Sequence, residues 1–141
     1  MNVTYKRSIA TTLIFGTLLI YLIVFFAIIG PEDFLSAKWY LAVTSAVVFI
    51  ALMGFALMLL LTNKKDNIVD ERDNLIQKQA SSIGLTLSLI YVFALSFALF
   101  MFYRDEGTIN VSWAWFIAYS TFAFGYFSTS MAHVYLFYKG N

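Results

Sequence analysis

Ile9-Ala-Thr-Thr-Leu-Ile-Phe-Gly-Thr-Leu-Leu-Ile-Tyr-Leu-Ile-Val-Phe-Phe-Ala-Ile-Ile29 contains no charged side chain. At a rise of ~1.5 Å per residue a helix of this length covers about 30 Å, the thickness of a bilayer's hydrocarbon core. A core helix of a soluble protein would carry a polar stripe for water, and a barrel strand would alternate over ~10 residues. This run does neither, so it reads as a membrane-spanning helix. Lys6 and Arg7 before it mimic a secretory leader. The run is longer than the 7–15 apolar residues of such a leader and has no small-residue cleavage pattern, so it is expected to stay as a span.

Three further runs of the same kind lie at Trp39–Leu61, Ser82–Phe102 and Val111–Tyr138, with no Asp, Glu, Lys or Arg inside them. The whole chain agrees: of 141 residues, 61% are hydrophobic and 12% charged, against about 25% charged in an ordinary soluble domain. The expected fold is all-α, a single integral membrane domain, a four-helix bundle made of two helical hairpins. The turns Gly30-Pro31-Glu32-Asp33 and Arg104-Asp105-Glu106-Gly107 are short enough to pair run one with two and three with four.

Cytoplasmic flanks of membrane spans are enriched in Lys and Arg. Of the 9 such residues, Lys6, Arg7, Lys64, Lys65, Arg72, Lys78 and Lys139 fall on one side and only Lys38 and Arg104 on the other. This places both termini and the middle loop in the cytoplasm. Trp39, Tyr40, Trp113 and Trp115 then sit at the outer interface and Tyr135 and Tyr138 at the inner one.

The composition excludes much chemistry. With no cysteine there is no disulfide, thiolate metal site or cysteine nucleophile. A net charge of +1 provides no field to gather nucleic acid. Phosphate-binding glycine loops, HExxH helices and GxSxG elbows are absent, and no catalytic residue, cofactor or metal site is expected. Coupled transport usually needs a carboxylate in the membrane, and the spans hold none. Glu32-Asp33 and Asp105-Glu106 on the outer turns are read as facing water.

His133 is the one ionisable group inside a span. It shares a helical stripe with Tyr119, Tyr126 and Thr129. Two readings stand: a polar seam lining a pocket for a small ligand, quinone or haem, or an interfacial histidine and tyrosines bonded within the bundle. Bis-histidine haem ligation within one chain is excluded by the count of one. Thr12-x-x-x-Gly16, Ala42-x-x-x-Ala46 and Gly84-x-x-x-Ser88 place small residues where helices approach closely, within the chain or between copies.

The middle loop, residues 63–80, holds eight of the seventeen charges and is the segment built to face water. Asp66 or Asn67 can cap a helix whose early turns carry Asp70, Glu71 and Asp73, where the dipole favours acids. No Gly or Pro intervenes before Gly84. The pattern predicts a cytosolic amphipathic helix that continues into the third span or meets it at a slight bend. Positions at 100° steps put Ile68, Val69, Leu75, Ile76, Gln79 and Ala80 on one face with Arg72 in its middle. No acid stands three or four residues from Arg72, so its guanidinium needs oxygens from lipid phosphate, a second subunit's carboxylate, or carbonyls ending a neighbouring span, unless it snorkels into water.

Asp70-Glu71-Arg72-Asp73, followed by Ile76 and Ala80 between two apolar hairpins, resembles the D-E-R-x-x-x-I-x-x-K-A/S signature of small uncharacterised prokaryotic four-span membrane proteins. Lys78 and Gln79 stand where that pattern's basic position falls, a departure from it. The resemblance implies a prokaryotic inner-membrane location and carries no catalytic role. The expected function is that of a non-enzymatic accessory, regulatory or scaffold subunit. It would engage a protein partner, a second copy or lipid headgroups through Asp70, Glu71, Arg72, Asp73 and Ile76. Alternatives are an oligomeric pore or carrier for an uncharged or lipophilic solute, lined by Tyr119, Tyr126, Thr129 and His133, and a quinone- or haem-associated subunit.

Overall fold

A computed structural model describes residues 3–63 and 71–140. They form α1 (Val3–Ile29), α2 (Lys38–Asn63), α3 (Glu71–Tyr103) and α4 (Ser112–Lys139), with no strand among the described residues. Each helix follows an apolar run, and two begin well before theirs. α1 starts at Val3 and α3 at Glu71, because backbone hydrogen bonding continues wherever no Gly or Pro interrupts it. The water-facing helix expected ahead of the third run is therefore the first turns of α3 itself, without a break. Its proposed start at Asp66 or Asn67, together with Ile68, Val69 and Asp70, lies outside the described residues.

α1, α2 and α3 are long and apolar enough to cross a membrane. α4 is as long, 28 residues, but less apolar, and its packing explains why. It lies between α1 and α3 and packs along both to a similar extent, while α2 leans on α1 over a smaller area. Ser112, Ser120, Ser128, Ser130 and His133 of α4 are buried against protein. A helix surrounded by helices can carry polar side chains that a lipid-facing one cannot. α2 and α3 turn most of their side chains outward, among them Phe49, Ile50, Leu60, Phe93 and Phe102.

The helices lock together by shape. Phe15, Leu18, Leu19 and Leu22 of α1 meet Val48 of α2 and Ala123 of α4 in one core, and Phe26, Phe34 and Phe116 form a second at the turn end. Gly16 admits the Phe127 ring, which would stand 3.1 Å from any Cβ added there. Gly84 does the same service for α3 on α4, where an added Cβ would fall 2.8 Å from the Thr129 Cα. Of the three small-residue pairs, those of α1 and α3 are thus used within the chain, whereas Ala42 and Ala46 face outward.

Gly30 closes α1 with φ +81 and donates its N–H to Phe26 O at 2.9 Å, a left-handed stop that a Cβ would strain. The Ser112 hydroxyl donates to Pro31 O at 2.6 Å, tying the start of α4 to the turn after α1. Trp113 Nε1 donates to the Tyr103 hydroxyl at 3.0 Å, bracing the second hairpin.

Candidate functional site

The polar groups converge at the end of the bundle that holds the start of α1 and α3 and the end of α4. Here the heptad stripe of α4 brings His133 inward, to 4% exposure. Its Nδ1 lies 3.0 Å from the hydroxyl of Ser8 in α1. Its Nε2 is shielded and has no hydrogen-bond partner among the described residues. From the other flank Asp73, 6% exposed, is near enough to act on the ring electrostatically. α1 and α4 thus meet at a node of Ser8 and His133, and the buried Asp73 of α3 acts on it through its charge.

Asp73 reaches this node because the inward edge of α3 runs through Asp73, Ile76, Ala80 and Gly84. That edge differs by one position from the apolar face centred on Arg72. Leu75 is 61% exposed and Gln79 also faces out. The wheel weighed apolarity alone, and the partner surface decided otherwise. α4 presents Ser128, Thr129 and His133 along this side, with the close approach at Gly84, where an added Cβ would fall 2.8 Å from the Thr129 Cα. Arg72 is exposed and donates from its guanidinium to the carbonyl of Gly140, at the end of α4. Of the oxygen sources weighed for it, the structure uses a carbonyl ending a neighbouring helix. Glu71 beside it faces outward.

Two more contacts hold this end. Arg7 Nε donates to the Thr62 hydroxyl at 2.5 Å, linking α1 to the end of α2. Tyr5 and Phe137 stack with ring centroids 4.7 Å apart. Neither Ser8 nor Arg7 was legible as a site residue. The only signal was that Ser8 extends the Thr12, Gly16 series of small residues by one turn.

The expected seam of Tyr119, Tyr126, Thr129 and His133 does not line one cavity. Tyr119 packs against Trp115 with ring planes tilted by 34° and borders a hollow with Val48 and Leu52. Tyr126 stacks on Phe15 with centroids 4.7 Å apart. Thr129 faces Gly84, and His133 lies in the node. Tyr126 and Thr129 do share an open groove of about 390 Å³ between α3 and α4. No group of three or more His, Cys, Asp or Glu side chains that could hold a metal ion occurs among the described residues. No known protein family, curated protein or solved structure matches this chain.

Proposed function

We propose that the chain is a four-span membrane protein with both termini and the middle loop in the cytoplasm. In this reading it acts as a non-enzymatic accessory subunit whose first α3 turns engage a protein partner. The observation that carries the reading is the two-sidedness of those turns. Asp73, Ile76 and Ala80 are taken up by packing within the chain, while Glu71, Arg72, Asn74, Leu75, Lys78 and Gln79 stand exposed. Leu75 there is an apolar side chain ringed by charge and amide groups, the composition of a small docking surface with a polar rim. The lysine and arginine distribution supports the orientation, and the likeness to small prokaryotic proteins with a D-E-R signature supports an inner-membrane location.

The test is recovery of the complex from native membranes. The wild type is expected to bring down one stoichiometric companion, and Leu75→Glu to lose it while remaining helical and monodisperse. Recovery of the chain alone, together with solute flux in proteoliposomes above that of empty vesicles, would replace this reading with the carrier. A Soret band or extractable quinone in the purified protein would replace it with the electron-transfer subunit.

A further inference from the structure

The α3–α4 groove is more than a gap between small residues. Its floor is Gly84 and Gly125, its apolar walls are Leu85, Phe122 and Tyr126, and its polar lining includes Ser81, Ser88, Thr121, Thr129 and Ser130. Most small hydroxyls in a helix are spent on their own backbone, and Ser88 is, donating to Gly84 O at 2.7 Å. Ser130 is not. It is 8% exposed and makes no hydrogen bond among the described residues, although it borders the groove. Thr121 Oγ1, in the lining of the same groove, is shielded and unpartnered. A shielded hydroxyl without a partner, as at Thr121, costs free energy that a polar ligand group recovers, and the partnerless Ser130 hydroxyl is available to the same ligand.

At Ser81 this groove meets a second hollow of about 390 Å³, lined by Asn74, Gln77, Lys78 and Ser81. That hollow has one cation and no acid in its lining, and Lys78 forms no ion pair among the described residues. Along one helix, therefore, a cationic, amide-rich hollow at the polar end passes through free hydroxyls into an apolar trough. Ser81 to Ser88 spans about 10 Å of helix rise, the depth over which a phospholipid passes from its phosphate through its esters into its chain.

We propose that this groove is a binding site for one anionic phospholipid from the surrounding bilayer. Its phosphate lies against Lys78, with Asn74 and Gln77 as further donors. Its ester oxygens accept from Ser81 and Ser130, and one acyl chain lies along Leu85, Phe122 and Tyr126 over the two glycines. The cation stands on α3 at the mouth of the interhelical groove, and a lysine near a membrane surface attracts anionic headgroups. The proposal rests on the membrane placement of α3, and it shares Asn74 and Lys78 with the rim of the proposed docking surface.

The test uses the full chain in nanodiscs of equimolar phosphatidylglycerol and phosphatidylcholine with identical acyl chains, released and weighed by native mass spectrometry. The wild type is expected to retain one phosphatidylglycerol about fivefold over phosphatidylcholine, the contribution of one lysine near a membrane surface. Lys78→Gln is expected to remove that preference. Ser81→Trp, at an exposed position that tolerates bulk, is expected to remove the retained lipid by blocking the junction. Equal retention of both lipids by the wild type overturns the proposal, as does a preference that survives Lys78→Gln or a bound lipid that survives Ser81→Trp. Labelling of single cysteines, described below, checks the membrane placement separately.

Discussion

Gly84 of α3 lies so close to Thr129 of α4 that a Cβ on the glycine would fall 2.8 Å from the threonine Cα. Backbone cannot yield as a flexible side-chain tip can. Gly84→Ala is therefore expected to lower stability by about 1–3 kcal/mol, the usual cost of overpacking. Gly125→Ala, whose Cβ would meet only the Ser88 hydroxyl at 3.4 Å, and Gly54→Ala, which meets nothing within 4 Å, are expected to be neutral or slightly stabilising. Unfolding midpoints in a detergent titration check the order. Equal midpoints for Gly84→Ala and Gly54→Ala would refute the close crossing.

Phe15 is fully buried where α1, α2 and α4 meet, stacked on Tyr126 and edge-on to Phe55 at 5.3 Å. In a bilayer the transfer of apolar surface from water adds little, so the loss on Phe15→Ala comes from the void. A hole of ~100 Å³ at ~24 cal/mol per Å³ costs about 2 kcal/mol. Phe102→Ala, at a side chain 80% exposed, is expected to change nothing measurable. The same titration compares them.

Ser8 and His133 are expected to be energetically coupled. Removing the hydroxyl by Ser8→Ala leaves both ring nitrogens without a partner and costs about 1–3 kcal/mol. Once His133 is Phe, the serine substitution is expected to matter far less. A double-mutant cycle measures the difference, and additive effects would show that the 3.0 Å approach contributes no stability.

Arg72→Ala is expected to loosen the end of α4, because the Gly140 carbonyl loses its guanidinium partner. Amide exchange at Gly140, whose N–H donates to Leu136 O at 3.2 Å, should quicken by up to about fivefold, the scale of one exposed hydrogen bond of ~1 kcal/mol. Exchange in the middle of α3 should not change. Identical exchange at Gly140 in both proteins would mean that the contact does not hold the terminus.

Because the chain has no cysteine, single cysteines report orientation without background. Asp105→Cys is expected to react with an impermeant thiol reagent added outside intact cells, and Lys139→Cys only after permeabilisation. The reverse pattern would invert the proposed topology.

Much of the fold was legible because its cause is local. Runs such as Ile9–Ile29 need no knowledge of neighbours to be helical and apolar, and the turns at Gly30 and Gly107 follow from short polar breaks between them. The site was less legible. Arg72 drew notice as a cation without a local acid, and its carbonyl partner at Gly140 was among the sources foreseen. Asp73 reads from the sequence as a dipole-favoured acid that engages a partner or lipid, whereas it is 6% exposed, because a wheel drawn for one helix cannot know that its neighbour offers a buried imidazole.

The sequence by itself determined the secondary structure and the membrane character: charge is kept out of long apolar runs, three of which form helices long and apolar enough to cross a membrane, and hydrocarbon leaves a backbone no option there but helix. The tertiary structure alone decided which helix is central. α4, the one described helix without an apolar window long enough to cross a membrane by composition, lies between α1 and α3 because its serines, glycine and histidine offer close approach and hydrogen bonding to protein, which lipid cannot match. That choice buries Asp73 and His133 at one end of the bundle, turns Leu75 and Arg72 outward, and opens beside Gly84 and Gly125 the groove that meets the Lys78 hollow at Ser81.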